Sequence, residues 1–200
     1  MKNIKFLSFY LLFTVGMATI VFNSYGQEGV MINGVKWATC NVDAPGTFAA
    51  KPEYPGMFYQ WNRKKGWPAG GHVTGWDDIT STGTTWEKAN DPSPIGWRVP
   101  TLEEIQSLLD TDKVTNERIT QGMPGIKFTD KATNASIFLP AAGYRYYNAG
   151  ELYYAGSVGI YWNSTQYGSF YAYNLRFSNF GADWSYYLRR YGFSVRSVAE

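Results

Sequence analysis

Asp91-Pro92-Ser93-Pro94-Ile95-Gly96-Trp97-Arg98-Val99-Pro100-Thr101-Leu102-Glu103-Glu104-Ile105 holds a stop signal, a short buried run and a helix start within one stretch. Pro92 and Pro94 end whatever precedes them. Trp97 and Val99 alternate as a strand does, and Pro100 bars further ladder pairing because it has no amide proton. Thr101 reads as an N-cap: its hydroxyl can accept from the amide of Glu104, whose carboxylate can reach back to the Thr101 amide, which is the capping box. Leu102, Ile105, Leu108 and Leu109 then recur at helical spacing and form one apolar stripe, so one main helix is expected over about 101–110.

Working towards the N-terminus, Asn41 to Thr85 is rich in Gly, Pro, Asp and Thr, and Met57-Phe58-Tyr59-Gln60-Trp61 is its one good strand. Such a long-loop region carries specificity when a rigid scaffold lies beneath it. Val30 to Trp37 reads as a hairpin, because Asn33-Gly34 can take the positive φ angles of a two-residue type I′ turn. Towards the C-terminus, Lys127-Phe128-Thr129 and Ser136 to Pro140 flank a polar turn. Beyond Gly143 come short aromatic strands around Tyr153-Tyr154, Gly159–Trp162, Phe170–Phe177, Trp184–Leu188 and Phe193–Val198. No repeat of 20–50 residues is present, so a solenoid is not expected. The reading is α+β: short antiparallel strands and hairpins, long loops and one main helix.

Several of these segments also resemble a known family. Asn33-Gly34-Val35-Lys36-Trp37-Ala38-Thr39-Cys40-Asn41-Val42, Gly96-Trp97-Arg98-Val99-Pro100-Thr101, Phe138-Leu139-Pro140-Ala141-Ala142-Gly143-Tyr144-Arg145, Tyr161-Trp162-Asn163-Ser164-Thr165 and Gly192-Phe193-Ser194-Val195-Arg196 match, in order and spacing, the Fibrobacter succinogenes major paralogous domain. The likeness runs from about Val30 to Val198. It implies a C-type-lectin-like fold in a secreted or surface protein of Bacteroidetes type, and it implies no general activity. Many members carry Cys where Ser93 stands, which would suit a bridge to the position of Cys40; that partner is missing here, so Cys40 is expected to be a small buried hydrophobe. The related formylglycine-generating enzymes bind copper through paired cysteines, and this chain has only one.

Met1 to about Gly26 reads as a targeting segment. Lys2 and Lys5 precede an apolar stretch from Phe6 to Phe22, and Ser24 and Gly26 are small residues at −3 and −1 of a cut before Gln27. A retained membrane anchor is the competing reading, since the apolar run is just long enough to span. Residues 27–200 are then one domain, with no membrane span after cleavage. The whole chain has 18 basic and 16 acidic side chains, so losing Lys2 and Lys5 leaves 18 − 2 = 16 against 16. A neutral domain argues against nucleic acid or anionic lipid as partner, because both need a concentrated basic face.

Chemistry is sparse. One histidine, His72, and one cysteine cannot supply the three or four ligands of a zinc or copper site. Trp76-Asp77-Asp78 or Asn90-Asp91 could contribute oxygens to calcium. Tyr161-Trp162-Asn163-Ser164 resembles the calcium-holding triplet of sugar-binding lectins with its carboxylate lost. Asp77, Asp78, Glu87 or Asp183 could pair for glycoside hydrolysis, although sequence cannot supply their separation. No catalytic residue, cofactor or metal ligand is assigned. The aromatic excess, 8 Trp and 16 Tyr, has two readings. Most rings build the core of a disulfide-free domain; some, in loops, form a platform for a pyranose or a partner's side chain. The candidates for the platform are Trp67, Trp76, Tyr146, Tyr147, Trp184 and Tyr186. The leading expectation is an exported, non-catalytic binding or surface-display module for a glycan or a surface protein. An assembly component of a surface appendage and a carboxylate-dependent hydrolase are the alternatives.

Overall fold

The computed structural model describes residues 28–200; the expected targeting segment lies outside them. In chain order the strands are β1 (Val30–Ile32), β2 (Val35–Trp37), β3 (Phe58–Gln60), β4 (Gly66–Trp67) and β5 (Trp97–Arg98). Helix α1 (Leu102–Leu108) follows, then β6 (Val114–Ile119), β7 (Gly125–Asp130), β8 (Ser136–Pro140), β9 (Tyr144–Arg145) and β10 (Leu152–Tyr153). The chain ends with β11 (Gly159–Tyr167), β12 (Tyr171–Ser178), β13 (Gly181–Leu188), β14 (Gly192–Phe193) and β15 (Val198–Ala199). They form four sheets, ordered β1-β2-β15-β5, β10-β9-β14-β3-β4, β11-β12-β13 and β6-β7-β8, and the paired strands in them are antiparallel.

The α+β, C-type-lectin-like class expected above is overturned. The described residues are mostly β, with 39% of them in strands and 6% helical, and include a single α-helix. The reason lies at both ends of α1. The capping box forms as read, with Glu104 N to Thr101 Oγ1 at 3.3 Å and Thr101 N to Glu104 Oε2 at 2.8 Å. Yet the helix closes at Leu109 after 7 residues, and Val114 is drawn straight back into a strand that pairs with β7 over six residues. The sheets, not the helix, carry the core.

Local rules account for much of the rest. Asn33 and Gly34 sit at φ 45° and 81° and turn β1 into β2, as the Asn-Gly pair requires. β15 lies between β2 and β5, so the last strand ties the first hairpin to the stretch before α1. The β11–β12 hairpin is the wall between two cores. Tyr161, Leu175 and Phe177 pack with Ile105, Leu108, Phe128 and Trp37 on one side; Ile160, Trp162 and Ala172 pack with Tyr59, Trp61 and Phe193 on the other. A strand buried on both faces explains the unbroken buried run Gly159–Asn163. Gly159 is needed there because a Cβ would lie 2.1 Å from the Phe177 ring.

With no disulfide, three buried arginines join distant loops. Arg196 donates to Asn41 Oδ1 (2.9 Å), the carbonyls of Ala38 (3.1 Å) and Thr39 (2.7 Å), and that of Phe138 (3.0 Å). Arg145 donates to the carbonyls of Pro68, Gly70, Gly71 and Gly150 at 2.6–3.1 Å. Arg189 reaches the carbonyls of Ser81, Gly83, Gly168 and Tyr171 and Gln166 Oε1, with its guanidinium 4.2 Å from the Trp61 ring centre. Desolvation lowers all three pKa values, but an arginine stays charged. Each therefore needs all its carbonyl partners, and that requirement fixes loops which propensity leaves free.

Burial also sets the alkaline limit of the fold. Tyr161 is fully buried and donates its hydroxyl to the Pro140 carbonyl at 2.7 Å; burial, only partly offset by Arg196, pushes its pKa up to about 12. An unfolded tyrosine ionises near ~10. Below that pH both states hold the proton and stability is complete; above it only the unfolded chain releases the proton, so ionisation favours unfolding. Urea melts should show roughly 3 kcal/mol lost between about pH 10 and 12 from Tyr161 alone. Tyr59 and Tyr191, also raised by burial, deepen the loss. Stability flat from pH 9 to 11.5 would contradict this.

Candidate functional site

The six ring residues singled out from sequence do not form one platform. Trp67 is 4% exposed and lies in a small core with Phe58, Val73 and Ala142. Trp76 packs on it with ring centres 4.7 Å apart and planes tilted by 41°, and donates its indole N–H to the Tyr147 carbonyl at 3.0 Å. A Cβ on Gly150 or Gly192 would meet the Trp76 ring at 2.4 or 2.7 Å, so both glycines make room for it. Trp67 and Trp76 are thus packing residues, which corrects their assignment to the platform. The loop they sit in is pinned by Arg145 and Arg189 rather than free. Tyr146 and Tyr147 are half-buried and pack on Tyr191 at 5.4 and 5.3 Å. The triplet Trp162-Asn163-Ser164 serves the fold too. Trp162 donates to the Tyr59 carbonyl at 2.7 Å, and the Asn163 side chain accepts from Thr165 N at 2.9 Å.

Trp184 and Tyr186 are exposed at 42% and 46%, but in the middle of β13, not in a turn. Strand alternation divides this region. Trp184 and Tyr186 face one way, with Tyr167, Tyr171 and Tyr173, and these rings touch at 4.1–6.5 Å. Most of those contacts are steep, with interplanar angles of 59–89°, so the rings present edges and hydroxyls instead of a shared shelf.

Tyr187 faces the other way, and on that side lies a concave site. A cavity of about 440 Å³ is lined by Tyr144, Tyr154, Ser157, Val158, Arg176, Ser178, Asn179, Phe180 and Tyr187. Each wall has a local cause. Tyr144 is held by edge contacts to Tyr191 and Phe193 at 5.7 and 6.0 Å, and Tyr187 by contacts to the same two rings. Phe180 is fully exposed at the tip of the hairpin between β12 and β13. Tyr154 is 60% exposed and sits at φ 56°, a left-handed conformation that costs a non-glycine residue about 1–2 kcal/mol. Its carbonyl accepts from Ser157 N, Val158 N and Ser157 Oγ, and this tight turn holds the strain.

Arg176 supplies the charge. It is exposed and, among the described residues, makes no ion pair. Its cross-strand neighbour Asp183 is instead engaged by the amide of Trp184 at 2.7 Å. Burial, then the neighbouring phenols of Tyr154, Tyr187 and Tyr146, raise the Tyr144 pKa, with Arg176 pulling the other way. Tyr144 is therefore a neutral hydrogen-bond donor at physiological pH. No carboxylate lines the slot, and among the described residues no group of three metal-ligating side chains exists.

A larger cleft of about 540 Å³ lies beside Pro94–Val99, but most of its charges are paired. Lys88 meets Glu200 at 3.0 Å and Arg98 meets Glu104 at 2.7 Å. Asp91 accepts from the Ser93 and Val99 amides. Burial alone would raise the Glu104 pKa; Arg98 and the Thr101 amide hold it below the usual range. These bonds brace the start of α1 and leave little charge for a ligand.

Sequence reading missed the slot because its lining comes from four separate segments. The one local signal was Tyr153-Tyr154-Ala155-Gly156, two rings before a tight turn. No helix among the described residues is long and apolar enough to cross a membrane. No curated protein and no solved structure matches the chain. Residues 125–198, from β7 to the start of β15, match a family described as a domain of unknown function (DUF8237), and that stretch contains every residue lining the slot.

Proposed function

We propose that this is an exported, non-catalytic binding module that takes acidic saccharides in the Tyr144–Tyr154–Tyr187 slot. The observation that carries the reading is an unpaired guanidinium, Arg176, at a concave site walled by four aromatic rings. Aromatic faces cover the C–H face of a pyranose at little entropic cost. Ser157, Ser178 and Asn179 offer hydrogen bonds to its hydroxyls, and a guanidinium grips a sugar carboxylate through two parallel bonds. A cavity of this size falls in the range of small-ligand sites. The export part of the reading rests on the sequence pattern of Lys2 to Gly26 alone.

Native affinity gels test it. Migration should be retarded by polygalacturonate and not by neutral galactan. Arg176→Ala should weaken retention by about 10- to 100-fold, the loss of one charge-assisted bidentate contact, and reduce its salt sensitivity. Equal retardation by both polymers, or by neither, would overturn the proposal.

A further inference from the structure

Among the described residues, strand β13 ends its sheet and pairs with β12 alone. The ladder between them runs in unbroken register from Ser178↔Gly181 to Tyr171↔Leu188. Arg189 N bonds the Phe170 carbonyl at 2.9 Å, which fixes the phase: odd-numbered residues of β13 bond β12, and Ala182, Trp184, Tyr186 and Leu188 aim their backbone groups outward. Two of these outward groups are already used. Trp184 N–H goes to Asp183 Oδ1, and the Leu188 carbonyl accepts from Tyr191 N. The amides of Ala182, Tyr186 and Leu188 and the carbonyls of Ala182, Trp184 and Tyr186 make no hydrogen bond among the described residues.

Exposed edges of this kind are normally blunted by lysine, proline or a bulge. β13 has none of these; its sequence is Gly-Ala-Asp-Trp-Ser-Tyr-Tyr-Leu. The edge strand β6, by contrast, exposes Thr115, Asn116 and Glu117 and carries Arg118.

We infer that β13 pairs antiparallel with β13 of a second copy, centred on Ser185, to make a two-fold dimer with one continuous sheet. In this register Ala182 lies opposite Leu188 and Trp184 opposite Tyr186 of the other copy. The free Leu188 amide then meets the free Ala182 carbonyl, and the free Tyr186 amide meets the free Trp184 carbonyl, in both directions. The charges fit a second copy as well. The strand's sole charge, Asp183, falls opposite Tyr187 and not opposite another Asp183, so an acceptor-only carboxylate faces a phenol. Cross-strand Trp–Tyr pairs join the two exposed ring faces, and aromatic pairs of this kind favour register. A two-fold axis normal to the sheet closes the assembly at two copies. It also turns both Tyr187 faces the same way, so under the proposed saccharide reading the two slots could engage one polymer together. The dimer itself does not depend on that ligand.

Ser185 lies on the axis, in a non-hydrogen-bonded pair where Cα atoms approach to about 4.5 Å, within disulfide range. Cys40 is fully buried, leaving the introduced thiol as the reactive one. Light scattering of the full chain at tens of micromolar should give twice the monomer mass. Ser185→Cys should form a disulfide-linked dimer on mild oxidation. Asp183→Cys should not, because in this register the two 183 positions are about 13 Å apart along the strands. Tyr186→Lys should be monomeric and folded, with a melting temperature that does not change with protein concentration, whereas that of the wild type should rise with it. A monomeric wild type at 100 µM, or Asp183→Cys cross-linking as readily as Ser185→Cys, would overturn the inference. These readouts involve no saccharide, so their failure leaves the slot proposal standing, and the reverse holds equally.

Discussion

Arg196→Met is expected to leave the domain largely unfolded at 37 °C. The side chain is 1% exposed and bonds four acceptors drawn from the Ala38–Asn41 and Phe138 segments. Methionine fills much of the volume and satisfies none of them. Each orphaned buried acceptor costs about 1–3 kcal/mol, so even partial relaxation gives a loss of roughly 4 kcal/mol or more. That is a large share of a total stability of about 5–15 kcal/mol. Arg196→Lys should recover only part of the loss, since an ammonium cannot reproduce the planar fork. A urea midpoint within error of wild type for Arg196→Met would show that the carbonyls find other partners.

Trp76→Ala is expected to cost about 3 kcal/mol, although the ring is only partly buried. It removes the ring contact with Trp67, the bond to the Tyr147 carbonyl, and the filling above Gly150 and Gly192, and a large aromatic deleted from such a site leaves a cavity. Trp184→Ala should cost less than about 1 kcal/mol, since that ring lies on an open sheet face. The ordering Trp76 well below Trp184 in thermal stability is the checkable result. Equal melting temperatures would return Trp76 to the surface.

That contrast shows where the sequence was legible. Asn33-Gly34 and Thr101-x-x-Glu104 were readable because their chemistry is local: a positive φ and a reciprocal pair of bonds three residues apart. β6 was not, because Val114 and Ile119 are five apart and fall on opposite faces of a strand, leaving no stripe. The fold class failed at α1, whose cap and stripe were right while its two-turn length let the sheets dominate. The three arginines were invisible as structural groups because most of their acceptors are backbone carbonyls, those of Ala38 and Thr39 lying 158 and 157 residues from Arg196. Arg145 and Arg196 sit in the very motifs that suggested a family, and they hold loops together there. Trp67 and Trp76 looked exposed because they lie among glycines and prolines, whereas the room for the Trp76 ring is made by Gly150 and Gly192, far along the chain. The slot was the least readable part, since its walls converge only after β11–β13 are paired.

The saccharide slot is tested most directly by titrating oligogalacturonate into wild type and Tyr154→Gly while recording both melting temperatures. Glycine relieves a left-handed strain of about 1–2 kcal/mol, and its greater freedom in the unfolded chain offsets about 0.5–1 of that. The melting temperature should therefore hold or rise, while loss of the ring weakens binding at least tenfold. Unchanged affinity, or an affinity loss accompanied by a fall in melting temperature, would contradict the account, because Tyr154 would then be either irrelevant to the ligand or simply part of the fold.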